Sequence, residues 1–385
     1  MRSILKPVRR AFATTILVAI LAAGSTAGAV AVAVTTCGQT VSGVGQLIAN
    51  LDCTGSSEPG VRLQDASILD LAGHTLSGGN GDGVSCEGRC AVTSTKDAGM
   101  VTGFAGDGIV SRSATFEDGQ VRVDDLTVAD NGGYGIRVDM PAGSVAVRHS
   151  TVSDNGAIGV YSPGRLRVAT TTVSGNASVG VFGGGQVDVL RSLVTLNGGV
   201  GISAGDALKL VYTDVLDNLD DGVRAAVTMT TRRVHILGNG GSGIVLSSLS
   251  RRARIYFVEV SDNALDGIRV EGEQTGLLRL KIAFVDRNGR HGVVSRNVGI
   301  YQSRVEDNGF HGVFAGAGGG SCLVRLSEYT FLGNGSDPSC GASMACADVA
   351  SCAAPLAITA STQCGTSYDT SSGFPGTSWG ICAND

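Results

Sequence analysis

Cysteine is missing from the 231 residues between Cys90 and Cys322, although the chain holds ten. Four stand near one end (Cys37, Cys53, Cys86, Cys90) and six near the other (Cys322, Cys340, Cys346, Cys352, Cys364, Cys382). A disulfide needs its Cα atoms within about 7 Å. If the middle is one long element, pairing is therefore confined to each end, with the partners unassigned. Positive charge is also in deficit. Without the first 34 residues, 25 Lys and Arg face 34 Asp and Glu, a net charge of −9. That excess of acid argues against nucleic acid as a partner.

Those first 34 residues carry Arg2, Lys6, Arg9 and Arg10, then the uncharged run "AFATTILVAILAAGSTAGAVAVAV". The order predicts a secretory signal peptide over 1–29, with an Ala-x-Ala-like site at Ala27 to Ala29 and a cleavage boundary between 29 and 34. An uncleaved anchor needs a span of roughly 20 apolar residues, but this run ends in small residues rather than leucines. "RRAF" matches a twin-arginine signal only in part. After cleavage no membrane span remains, and the cysteines suit a secreted or extracytoplasmic, oxidising location.

A repeat fills the middle. The pattern (Val/Ile)-x-x-Asn-x-x-x-Gly-(Ile/Val) occurs nine times, from "VADNGGYGI" to "VEDNGFHGV". Its asparagines are Asn131, Asn155, Asn176, Asn197, Asn218, Asn239, Asn263, Asn288 and Asn308, spaced 20 to 25 residues apart. So short a unit cannot hold two helices and a core, and its alternating Val, Ile and Thr runs predict short strands. Leucine dominates no column, which excludes a leucine-rich repeat. Stacked units give a parallel β-helix with coils about 4.8 Å apart.

Two columns are predicted to point inward. One runs Val128, Val152, Val173, Val194, Val215, Ile236, Val260, Val285 and Val305; the other runs Ile136, Val160, Val181, Ile202, Val223, Ile244, Ile268, Val293 and Val313. The asparagines are expected in the left-handed residue of a tight turn, their amides bonding from coil to coil, and the glycines are expected to relieve a bend. The "NAS" and "NGS" sequons at Asn176 and Asn334 fall on this column, where a buried amide makes a poor glycosylation acceptor.

These nine units, with "ILDLAGHTLSG" at 68 to 78, resemble the right-handed parallel β-helix repeat proteins of the pectate-lyase-like superfold. The resemblance covers roughly 61 to 335, some twelve coils and about 55 to 60 Å of stack. It implies an all-β solenoid over 61–337, with an N-terminal cap at 35–60 and a Cys-rich C-terminal cap at 338–385. Caps are needed because open strand edges aggregate. That family includes pectate lyases, polygalacturonases, alginate epimerases, phage tailspikes and non-catalytic surface proteins, so it implies a fold and not an activity.

Function then belongs to outward columns. Nine residues before each asparagine stand Arg122, Ala146, Arg167, Asp188, Lys209, Thr230, Arg254, Arg279 and Gly299; seven before it stand Asp124, Arg148, Ala169, Leu190, Val211, Arg232, Tyr256, Lys281 and Tyr301. Alternation puts both on the outer face of one strand, a face with eight bases and two acids. The longer units add residues just before this strand, at "DMPAGS", "SSLSRRA" and "EGEQTG", as if to wall one side of a groove. The relatives' substrate groove is taken to run along the corresponding sheet. The expected ligand is an anionic polysaccharide, held by Arg122, Arg148, Arg167, Lys209, Arg232, Arg254, Arg279 and Lys281, with Tyr256 and Tyr301 as stacking platforms. The plain alternative is that these arginines only solubilise the sheet.

No catalytic set is complete. Arg254, Arg279 or Lys281 could serve as a lyase-type base, but the aspartate cluster that holds calcium in such enzymes has no match on this face, so no cofactor is expected and calcium is unsupported. Asp220 with Asp221, "RHG" at 290–292 and "RLK" at 279–281 stand in the wrong order for a polygalacturonase, and the Asp-Pro-His-Asp motif of alginate epimerases is absent. A lyase-like or other carbohydrate-active enzyme and a non-catalytic adhesive scaffold both fit.

His291 and His311 share the column Tyr134, Ile158, Val179, Val200, Asp221, Ser242, Asp266, His291, His311. It reads as a permissive turn position. Zinc ligands lie about 2.0 to 2.2 Å from the ion, whereas side chains on adjacent coils start about 4.8 Å apart, so the last three are not expected to gather a metal. Two adjacent imidazoliums would repel by roughly 3 kcal/mol, so the pair should hold at most one proton.

Overall fold

The computed structural model describes residues 31–112, 119–248, 252–272, 276–315 and 323–335, with short segments at 348–351, 356–357, 362–364 and 367–369. Among these the chain is an all-β solenoid in which every strand pairing is parallel. Each coil has three strands, as in Gln120–Asp124, Leu126–Ala129 and Ile136–Val138. Each strand pairs with its counterpart one coil on: Ser144–Arg148, Thr151–Ser153 and Val160–Ser162. From Ala207–Leu216 onward the first two strands run together as one. Pairing already begins at Val32–Val34 and continues through Val349–Ser351 and Ser367–Asp369, so both flanking regions contribute strands to the stack.

The core is a set of β-branched columns. Both predicted inward columns are fully buried, as is a third, Val123, Val147, Val168, Val189, Leu210, Thr231, Ile255, Leu280 and Ile300. Identical side chains stacked at the coil spacing exclude water along the whole axis.

The asparagines form one unbroken ladder. Each Nδ2 donates to the next coil's Oδ1 at 2.9–3.0 Å, from Asn131 through Asn334. The same Oδ1 accepts the preceding asparagine's backbone N–H at 3.1–3.2 Å. Asn176 is fully buried within it. The left-handed residue of this turn is not the asparagine, however, but the one before it: Asp130 (φ 56°), Asp154 (56°), Leu196 (56°), Asp217 (52°), Asp262 (58°) and Asp307 (53°). That reversal turns the chain and leaves the asparagine side chain pointing into the turn. The glycines also act differently from expectation. A Cβ on Gly180 would lie 2.7 Å from Asn197 Nδ2 and 2.8 Å from Gly201 O, so glycine clears space for the ladder.

A second left-handed column, unforeseen, makes a one-residue corner between the first two strands: Asp125 (58°), His149 (45°), Thr170 (52°), Arg191 (49°), Tyr212 (53°), Arg233 (53°), Phe257 (53°), Ile282 (54°) and Gln302 (50°). Cys37 bonds Cys53 and Cys86 bonds Cys90, so the N-terminal pairs are local. Cys364 ends a paired strand, while Cys322, Cys340, Cys346, Cys352, Cys382 and the signal segment lie outside the described residues.

Asn197→Ala should strand the buried backbone N–H of Asn176, at about 1–3 kcal/mol, and also remove one of the three acceptors of Asn176 Nδ2 and the packing of a buried side chain. Denaturant melts should show a loss of roughly 2–5 kcal/mol. Exposed Thr170→Asn should instead gain up to about 1 kcal/mol, since asparagine tolerates the left-handed region better.

Candidate functional site

Register brings the predicted residues together. Residues Arg122, Ala146, Arg167, Asp188, Lys209, Thr230, Arg254, Arg279 and Gly299 pair in succession, and so do Asp124, Arg148, Ala169, Leu190, Val211, Arg232, Tyr256, Lys281 and Tyr301. Both flank the buried third column, and their basic side chains are exposed or half-buried. One further coil adds Arg325 beside Gly299. Its unit departs from the repeat pattern, since Phe331 replaces the usual valine and no glycine follows Asn334 at the fourth place.

The charges of this face are unevenly matched. Asp124 is engaged by His149 Nδ1 at 2.9 Å, and Asp188 by Arg165 Nη2 and Gln186 Nε2, each at 3.0 Å. Among the described residues, Arg122, Arg148, Arg167, Lys209, Arg232, Arg254, Arg279, Lys281 and Arg325 form no ion pair. These nine cations occupy eight of ten successive coils. At the C-terminal end the Arg279 guanidinium lies over the Tyr301 ring, 4.8 Å from its centre. That ring sits across Gly299, whose added Cβ would be 2.9 Å from Tyr301 Cε2. Tyr301 thus braces Arg279, and Arg279 Nε is buried with no hydrogen-bond partner among the described residues.

The face of the third strands is built the opposite way, with its charges paired. Arg112 reaches Asp82 at 2.6 Å and Asp107 at 2.9 Å, and Arg137 lies 3.6 Å from Asp107. Burial, with the nearby Asp82 charge, raises the pKa of Asp107 against the opposing pull of the Tyr134 N–H and both arginines. Arg224 pairs with Asp221 at 2.5 Å and Arg269 with Asp266 at 3.4 Å. "DGVR" at 221–224 and "DGIR" at 266–269 were the legible signal for these pairs.

That motif also corrects the reading of the histidine column as merely permissive. Asp107, Asp221 and Asp266 each accept the backbone N–H of the next coil's equivalent residue, at 2.8, 2.7 and 3.1 Å, and His291 Nδ1 accepts that of His311 at 3.2 Å. The two imidazoles stack 5.2 Å apart, with Phe314 against both. Burial, and then the charges of Arg290 and Arg269, lower the pKa of His291 to about 4.

Beside the corner column runs an open groove of about 790 Å³, lined by His149, Thr170, Thr171, Arg191, Tyr212 and Asp214 among others. Three of its hydroxyls are committed: those of Ser150, Thr171 and Ser192 donate to the carbonyls of Arg148, Ala169 and Leu190.

Fold and geometry make the described residues a parallel β-helix of stacked repeats. Residues 37–194 match the family model described as the right handed beta helix region. No curated protein matches the chain by sequence. Among solved structures it is similar to the periplasmic alginate epimerase AlgG (14% identity, 73% of this chain and 75% of that one, TM-score 0.37). It is also similar to the mannuronan C-5 epimerase AlgE6 A-module of Azotobacter vinelandii (13%, 83% and 88%, 0.34) and to pectate lyase Pel9A (13%, 83% and 73%, 0.31).

His291 makes stability pH-dependent. The unfolded imidazole takes a proton near pH 6.5 and the folded one only near 4, so between these values the unfolded state binds more protons and stability falls as pH falls. The loss should be on the order of 3 kcal/mol by pH 4. His291→Asn, which keeps an acceptor for His311, should flatten denaturation midpoints across that window.

Proposed function

We propose that this protein binds an anionic polysaccharide laid along the helix axis on the first-strand face. The observation behind this reading is the row of cations without ion pairs in eight of ten successive coils, one step every 4.8 Å or so. An exposed ion pair contributes at most about 1 kcal/mol. A polymer that engages many at once binds through their sum and through effective concentration. The acidic remainder of the chain, at a net −9 outside the leader, disfavours nucleic acid and leaves a sugar chain with regularly spaced carboxylates as the best fit. Local disulfides and the N-terminal leader suit the extracytoplasmic space where such polymers lie.

Binding, rather than cleavage, is the activity proposed. Asp124 and Asp188, the acids of the two columns, are both engaged, which leaves neither free to act as a base. The combined variant Arg254→Gln, Arg279→Gln, Lys281→Gln should lose at least tenfold in affinity for pectate, alginate or hyaluronan, while stability changes by about 1 kcal/mol or less. Unchanged retention, or equal retention on a neutral glucan, would contradict the reading. Ultraviolet absorbance from unsaturated uronates during the same incubation would show that cleavage accompanies binding.

A further inference from the structure

The corner between the first two strands brings together side chains that a plain strand would separate. Asp124 ends the strand Gln120–Asp124, and Asp125 is the next residue. In extended backbone two such neighbours point to opposite faces. Asp125 instead has φ 58°, and this left-handed turn swings its carboxylate to the same side as that of Asp124. One coil on, Arg148 pairs in register with Asp124, so His149 is the matching corner residue, itself left-handed at φ 45°. One ligand atom from each of Asp124, Asp125 and His149 lies within 4.8 Å of the other two.

Local conformation accounts for the residue types one at a time, since Asp and His are both enriched at left-handed positions. It does not account for their convergence. Asp124 is satisfied by His149 Nδ1 at 2.9 Å, but the Asp125 carboxylate has no hydrogen-bond or ion-pair partner of its own among the described residues and lies against a like charge. The raised pKa of Asp125, caused by burial and then by Asp124, is in keeping with that crowding. Ligands held about 2.1 Å from an ion stand roughly 3.4 Å apart in a tetrahedron. Exposed and half-buried side chains can cover that difference by small torsional changes. His149 also lines the end of the open groove of about 790 Å³, so an ion held by these three would keep coordination positions open to a small ligand lying in the groove.

We propose that Asp124, Asp125 and His149 form a surface site for a divalent transition-metal cation of the zinc type, with imidazole and carboxylate as the donor set. This proposal does not rest on the polyanion reading, although Asp124 stands on the same first-strand face, in register with Arg148. The Asp214–His235 pair, 2.7 Å apart on the second-strand face, supplies an internal control: Glu259 lies 4.0 Å from the other ring nitrogen, so its two carboxylates stand on opposite sides of the imidazole instead of gathering with it.

The test is isothermal titration of chelator-treated, fully oxidised protein with zinc chloride, comparing the parent with His149→Ala, Asp125→Asn and His235→Ala. One saturable zinc per chain is expected, weakened at least tenfold by either of the first two changes and unaltered by the third. All three variants should retain the parent's far-ultraviolet circular dichroism, so that loss of binding is not loss of fold. Absence of saturable binding in the parent, or affinity that survives both His149→Ala and Asp125→Asn, would overturn the proposal.

Discussion

Every outward feature of this molecule depends on the coil-to-coil bond between asparagine amides. A parallel strand that slipped against its neighbour by one residue would exchange its inner and outer faces, an exchange that the buried valine columns oppose and that the ladder opposes further. Each Oδ1 takes two donors from the preceding coil and each Nδ2 is anchored to carbonyls as well as to the next amide. The geometry closes only when equivalent residues are level. The neighbouring glycines follow from the same requirement, since a methyl group at Gly180 would meet the Asn197 amide.

With register held, charge is sorted by face. On the third-strand side arginines stand beside aspartates that are themselves tied to the next coil's backbone, so those charges belong to the scaffold. On the first-strand side the cations project from strands whose backbone is already satisfied by pairing, and the two acids among them are engaged. A surface whose charges are paired gains rigidity, whereas one whose like charges are unpaired carries repulsion that an incoming polyanion relieves.

Much of this was legible in the amino-acid sequence, because a repeat displays its own alignment: the asparagines and the valine columns give register, and alternation gives facing. The misread parts lie where backbone hand departs from the regular strand. Corner residues as unlike as His149, Thr170, Arg191 and Ile282 all adopt the left-handed region, and no composition marks that column. Assigning left-handedness to the asparagine itself was reasonable on intrinsic preference, yet Asp130, Asp154 and even Leu196 adopt it instead. The Asp–Arg pairs of the third-strand face went unread because their column also accepts isoleucine and valine, and its hydrogen-bonding members emerge only when coils are stacked. Convergence of Asp124, Asp125 and His149 was hidden for the same reason, as it joins residues 24 apart through a corner.

The central claim is that cations in successive coils act together on one extended polyanion. The most direct measurement is the affinity of the intact protein for size-defined uronic-acid oligomers as a function of both chain length and salt. If the polymer lies along the axis, affinity and the steepness of its salt dependence should grow together with each added residue until the oligomer spans the eight cation-bearing coils. Affinity that saturates at two or three residues, with no further steepening in salt, would place recognition in a single pocket and contradict the account.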